Sequence, residues 1–199
     1  MQKIVYFDLD GTILDVWKRT WRVYTVLAKR FNLKPIPFEK YRRLKRNQFT
    51  EYVFFEKVVS KQKYLLLKRG LIEQEAYLDL DYVNDQIMDV IESFSKDQNI
   101  GILTYRQSRG RLIAQLAKLR ISQYFERIIN VDSSKEDYLK RLATLYIGDT
   151  VDDIRCAKRA GVAAVGCSWG LVHPSILSLA KPDYLVKNPR ELLKILHYD

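Results

Sequence analysis

The chain has 199 residues, 47% hydrophobic and 12% aromatic, enough to bury a proper core and to exclude wholesale disorder, while no apolar run approaches the roughly 18 residues that a membrane span needs. An acidic "DLD" interrupts the first apolar segment, so it does not read as a secretory signal, and two cysteines, Cys156 and Cys167, are too few for a disulfide framework and read as reduced thiols in a cytoplasmic protein. The net charge of +10 is uneven, with 16 Lys/Arg against three acids between Val16 and Gly70 and eight acids against Lys96 between Leu71 and Asn99; a face this basic attracts an anion, whether a small phosphorylated molecule, a nucleic acid or an acidic protein.

Lys3 to Leu9 is rich in Ile, Val, Tyr and Phe and ends in "DGT", which predicts a buried strand and a turn. The next such run starts only at Asn99, and nearly everything between reads as helix. Trp21, Tyr24, Ala28 and Phe31 fall at helical spacing, and Pro37 opens a second helix. The pattern predicts one long helix from Phe49 through Leu67, closed by Gly70, then helices over Glu73–Leu80 and Val83–Phe94. After Asn99 strands and helices alternate. "NIGILT" precedes a helix at Ser108–Leu119, "RIINV" one at Lys135–Leu142, and "TLYIGD" one at Val151–Ala160. "VAAVGC", a loop through Trp169 and Pro174, "DYLV" and a helix at Pro189–Leu196 end the chain. This alternation implies an α/β fold with a mainly parallel sheet covered by helices on both faces. Residues 1–15 and 96–199 form that domain, and the helices of 16–95 are inserted after its first strand.

Ligands of such sheets bind at the carboxyl ends of the strands, where Asp8, Thr104 and Asp149 all lie. Asp8 and Asp10 end one apolar run. Asp149 ends another, and Asp153 follows it on a turn into a helix. If the two strands are adjacent, four carboxylates converge. Two unpaired carboxylates 5 Å apart repel by roughly 3 kcal/mol at an effective dielectric of 20, so four need protonation or a cation. Hard oxygen donors point to Mg²⁺. Gly11 permits a tight turn, and Thr12 can satisfy local backbone groups. One carboxylate can attack phosphorus while its neighbour handles the leaving-group proton.

The strings "DLDGTILD", "ILT", a lysine and "GDTVDD" resemble the four signature motifs of the haloacid-dehalogenase superfamily. "RAGVAAVGCSWG" and "PDYLVKNPRELLKIL" resemble the tail of its phosphoglycolate-phosphatase-like branch. The resemblance implies a Rossmann-like core with a helical cap and a phosphoric monoester hydrolase. In such an enzyme Asp8 is the nucleophile that forms an aspartyl-phosphate, and Asp10 is the general acid and then the base. Thr104 bonds a phosphoryl oxygen, and a lysine neutralises charge. Asp8, the Asp10 carbonyl, Asp149 and Asp153 hold Mg²⁺. Gly11, Thr12, Tyr105 and Arg106 border these positions and are expected to contact substrate. The inserted helices would close over a small phosphorylated metabolite.

The chain departs from that pattern in three places. Lys135 is the lysine expected at the site, with Lys140 as its alternative, yet only 13 residues separate Lys135 from Asp149. Val16 stands where many relatives place serine, and Tyr105 where a small or amide residue often follows the threonine. The second aspartate, Asp10, favours phosphoryl chemistry over carbon–halogen cleavage.

Arg42, Arg43, Lys45 and Arg46 form a basic cluster interleaved with aromatics, which suits either a solvated helix packed on a core or contact with an anionic substrate or nucleic-acid phosphates. The rival readings are therefore a nucleic-acid end-phosphatase or binder, a phosphosugar mutase, and a sensor of phosphorylated ligands. Arg109 either reaches the phosphate or is solvated. Asp15 is expected in a structural role, at the turn or at the hinge of the inserted helices, and His173 and His197 carry no partner motif.

Overall fold

The computed structural model describes residues 4–195. Lys3, Leu196 and His197, which the sequence places at the start of the first strand, the end of the last helix and the C-terminal tail, lie outside them. Strand β1 (Ile4–Phe7) is buried at all four residues, as its unbroken apolar run requires of a strand covered on both faces. Four helices follow: α1 (Trp17–Arg30), α2 (Phe38–Arg46), α3 (Lys61–Ile72) and the short α4 (Glu75–Leu78). Then come α5 (Asp85–Asp97), β2 (Ile100–Thr104), α6 (Arg109–Lys118), β3 (Arg127–Asn130) and α7 (Lys135–Leu142). The chain continues through β4 (Ala143–Gly148), α8 (Val151–Arg159), β5 (Ala163–Cys167), α9 (Pro174–Leu179), β6 (Tyr184–Val186) and α10 (Leu192–Ile195).

The six strands form one parallel sheet in the order β3-β2-β1-β4-β5-β6. β1 is central. The chain builds outward to β2 and β3 on one side, then crosses back to build from β4 on the other. That reversal puts a crevice at the carboxyl ends of β1 and β4. Side chains alternate between the faces of the sheet. Ile4 and Tyr6 belong to a core shared with Leu139 of α7, Ile154 and Ala157 of α8 and Leu177 of α9. Phe7 faces the other way, edge-on to Phe94 of α5 with ring centroids 5.7 Å apart.

The chain divides into two compact units, Met1–Asp15 with Val83–Asp199, and Val16–Tyr82. The far boundary therefore falls at residue 82 rather than 95. Helix α5 buries Ile87, Val90, Ile91 and Phe94 within the sheet unit, so this amphipathic helix belongs there.

The inserted unit has its own core. Tyr24 packs on Tyr41 and Phe55, and Phe55 packs on Tyr64. The long helix expected over Phe49–Leu67 is instead a 3-10 turn at Glu51–Phe54 followed by α3. Ser60 caps α3 by accepting the Lys63 N–H, and Gly70 lies inside that helix rather than closing it. The chain breaks where Glu51 turns inward to meet buried partners, so a tertiary contact overrides the local period. The helix expected over Glu73–Leu80 shortens to α4 for want of a continuous apolar face. The loop after Trp169 contains α9, opened by His173 and Pro174. No helix among the described residues is long and apolar enough to cross a membrane.

Candidate active site

Beyond β1 the chain closes a tight loop. The Leu9 carbonyl accepts the Ile13 and Leu14 N–H groups, and the Gly11 N–H donates to the Leu14 carbonyl at 2.8 Å. Gly11 has φ +94°, and a Cβ there would strike the Asp149 carboxylate. This turn therefore needs glycine on both counts. Thr12 is buried; its hydroxyl donates to Asp149 Oδ1 at 3.1 Å, and its carbonyl accepts the Trp169 indole N–H at 3.1 Å.

Asp149 follows the last residue of β4 and is fully buried. Its Oδ2 accepts the Leu171 N–H at 2.6 Å, and the Cα of Gly170 lies so close that any Cβ would collide with the Asp149 side chain. Thr150 then caps α8 in a reciprocal box. Its hydroxyl accepts the Asp153 N–H, while its own N–H and hydroxyl both donate to Asp153 Oδ2. That box aims Asp153 back at the end of β1.

Lys135 is the first residue of α7, behind the Ser134 cap, and only 2% exposed. Its ammonium donates to Asp8 Oδ1 at 2.6 Å, Asp153 Oδ1 at 2.8 Å and the Tyr146 hydroxyl at 2.6 Å. Asp10 turns its side chain to Arg106, which donates to Asp10 Oδ1 from Nε at 3.1 Å and from Nη2 at 2.6 Å. Asp8, Asp10, Thr104, Tyr105, Arg106, Lys135, Thr150, Asp152 and Asp153 line one cleft of about 400 Å³, a size that suits a small ligand.

Asp8, Asp149 and Asp153 bring carboxylate oxygens within 4.8 Å of one another. Burial, helped by Asp153 and Asp10 and opposed by Lys135, raises the Asp8 carboxyl to about 7. Burial, then Asp8 and Asp153, lift Asp149 well above the carboxylate range. Burial also pushes Asp153 upward, but Lys135, Thr150 and Tyr146 together hold it below that range. When all three are ionised, the clustered Asp8, Asp149 and Asp153 face one cation, Lys135, so two negative charges are left over. One divalent ion would cancel them, and the donors are all hard oxygens. The residues present therefore fit a divalent metal.

The structure thus brings together Asp8, Asp149, Asp153, Lys135 and Thr104. Two expectations change, those for the Asp10 side chain and for Gly11 with Thr12, and two alternatives are decided, those for Lys140 and Arg109. The Asp10 side chain is not in the carboxylate cluster; it pairs with Arg106. Gly11 and Thr12, expected against substrate, pack on Asp149 instead and do not line the cleft. Lys140 pairs with Glu136 at 2.8 Å on the surface, so Lys135 is the lysine of the site. Arg109 reaches the Ile128 carbonyl rather than the cleft. Two other groups went unread in the sequence. Tyr146 sits inside an apolar strand like any core aromatic, and Gly170 inside a loop whose fold is set by Asp149.

Comparison with known proteins agrees with this geometry. Residues 5–167 match the family described as haloacid dehalogenase-like hydrolase. The chain belongs to that family. It is 26% identical over 207 residues to a phosphoglycolate phosphatase of Synechococcus elongatus, covering 98% of this chain and 96% of the relative. It is 24% identical over 214 residues to a pyrophosphatase of Bacillus mycoides, covering 96% and 95%. Among solved structures it resembles a haloacid dehalogenase-like family hydrolase from Streptococcus pneumoniae, with a TM-score of 0.82, 22% identity and coverage of 98% and 99%.

Proposed function

We propose that this chain is a Mg²⁺-dependent phosphatase that hydrolyses a small phosphorylated metabolite through an aspartyl-phosphate. The observation that carries the reading is the Lys135 ammonium held between Asp8 and Asp153 beside a fully buried third carboxylate, Asp149. The two curated relatives, by their names, act on a phosphate ester and a phosphate anhydride, which supports substrates of that kind. Free, buried Cys156 and Cys167 suit a cytoplasmic location.

Asp8, Asp149, Asp153 and the Asp10 carbonyl would hold the metal, which when bound supplies positive charge against the phosphoryl oxygens. The rest of the chemistry falls to the chain's own groups. A carboxylate oxygen of Asp8 attacks phosphorus, and the bond to the leaving oxygen breaks. Asp10, carrying a proton, gives it to that leaving oxygen and then takes one from the water that hydrolyses the aspartyl-phosphate. Asp8 is regenerated and orthophosphate leaves. Thr104 bonds a phosphoryl oxygen, the Lys135 charge neutralises the nucleophile and the phosphoryl group, and Arg106 and Tyr105 wall the cleft beside them. In phosphoryl transfer such positioning and neutralisation make up most of the catalysis.

The test is phosphate release from a panel containing 2-phosphoglycolate, pyrophosphate and phosphosugars, with Mg²⁺ and with chelator, beside Asp8→Asn. Loss of the nucleophile should cost about a thousandfold or more in turnover. Unchanged turnover in that variant removes the covalent mechanism. An isomeric phosphosugar in place of orthophosphate makes the chain a mutase.

A further inference from the structure

We infer that Tyr146 is a positioning residue of this site: its hydroxyl fixes the Lys135 ammonium in orientation between Asp8 and Asp153. The inference rests on the phosphatase reading and deepens it. An ammonium has three N–H donors. Here they meet Asp8 Oδ1, Asp153 Oδ1 and the Tyr146 oxygen, at 2.6, 2.8 and 2.6 Å. The lysine is thus saturated, and the phenol is its one uncharged acceptor. Tyr146 is fully buried on β4, three residues before Asp149. Its own hydrogen has two acceptors in reach, Asp153 Oδ1 at 3.1 Å and the Leu103 carbonyl at 3.3 Å. The hydroxyl is therefore tied to β2, to α8 and to the lysine at once. The centroid of the Tyr105 ring lies 4.8 Å from the ammonium, so an aromatic face adds to its surroundings.

The local chain shows why an extra anchor is useful. Helix α7 runs from Lys135 to Leu142, and β4 begins at the very next residue. The lysine sits on the first turn of a short helix, at the end of a flexible four-carbon stem. With an apolar residue at 146, as at the neighbouring Leu145 and Ile147, its third N–H would be buried without a partner or would swing to another carboxylate oxygen. Either outcome misdirects the charge that the phosphoryl group must meet. With the phenol present, the ammonium is aimed before substrate arrives, so no reorganisation is needed during reaction.

The test is Tyr146→Phe, which keeps the ring and removes the oxygen. The control is Tyr6→Phe, a buried tyrosine on β1 whose ring packs on Gly101. Tyr146→Phe should lower kcat about tenfold or more, leave KM within about twofold and leave the melting temperature within a few degrees. In ¹⁵N-labelled protein the Lys135 Nζ resonance, identified by its loss in Lys135→Arg, should shift or broaden in Tyr146→Phe. Tyr6→Phe should move neither readout. A kcat within about twofold of wild type, or an unmoved Nζ resonance, overturns the assignment. If wild-type protein releases phosphate from nothing in the panel, the phosphatase reading fails separately. The Nζ resonance then decides alone whether Tyr146 orients the lysine.

Discussion

Glu51 offers the sharpest quantitative test of how the inserted unit is held together. It is 4% exposed, yet its carboxylate accepts from Tyr41 at 2.7 Å, Tyr64 at 2.6 Å and Lys68 at 2.8 Å, with Lys45 at 3.1 Å. Burial alone would raise its pKa, but Lys68, Lys45 and the phenol of Tyr64 outweigh it and bring the carboxyl from 4.5 to about 2. A depression of that size corresponds to about 3 kcal/mol in favour of the folded state at neutral pH. Burial lowers the Lys68 amine even with Glu51 beside it, so the net contribution of the network is smaller, about 2–3 kcal/mol. Glu51→Gln keeps the shape and removes the charge. It should lower the melting temperature by about 5–10 °C at pH 7, followed by circular dichroism. The sign with pH follows from the depressed folded value. The contribution is complete above the ordinary value of 4.5 and is lost as pH falls toward about 2. At pH 3.5 the gap between wild type and Glu51→Gln should be about 1 kcal/mol narrower than at pH 7. A variant that melts with wild type at pH 7, or a gap that does not narrow in acid, refutes the argument.

Other expectations concern the sheet unit. Adding Mg²⁺ to chelator-treated protein should raise its melting temperature, because the ion binds only the folded carboxylate cluster; Asp149→Asn should abolish that rise. The same variant, without metal, should melt no lower than wild type, since one buried negative charge has gone. Gly170→Ala forces a Cβ into Asp149; it should lower both melting temperature and turnover, by an overpacking cost of about 1–3 kcal/mol. Lys135→Ala should lower turnover by about a hundredfold or more, whereas Lys140→Ala, which breaks an exposed pair with Glu136, should leave it unchanged. Phosphate-release kinetics on the two variants separate them.

Much of the sheet unit could be read from local pattern. Apolar runs of strand length, most of them followed by a helical pattern, predicted all six strands and their parallel alternation. The two aspartate-bearing turns stood out because carboxylates ended buried strands. The inserted unit was less legible. Its aromatic period suited one helix from Phe49, but Glu51 is drawn inward by Tyr41, Tyr64 and Lys68, and the chain breaks to let it. Helix α5 carried no local mark of which unit it would join; only the fit of Phe94 against Phe7 decides that.

The order of residues along the chain was sufficient for the classes of chemistry present: acids at strand ends, a threonine ending β2, lysines in the α7 segment, and glycine where the first turn reverses. These follow from short-range periodicity and backbone sterics, which act over a few residues. Only the tertiary structure chose between Lys135 and Lys140, joined Asp10 to Arg106, enclosed Asp149 between Gly11 and Gly170, and placed the Tyr146 phenol on the lysine. Each of those outcomes depends on a side chain finding charge or space on another element, and in the case of Thr12 and Asp149 the partners are 137 residues apart. No local pattern carries that information, because the energy lies in desolvation and contact that exist only once the strands are side by side.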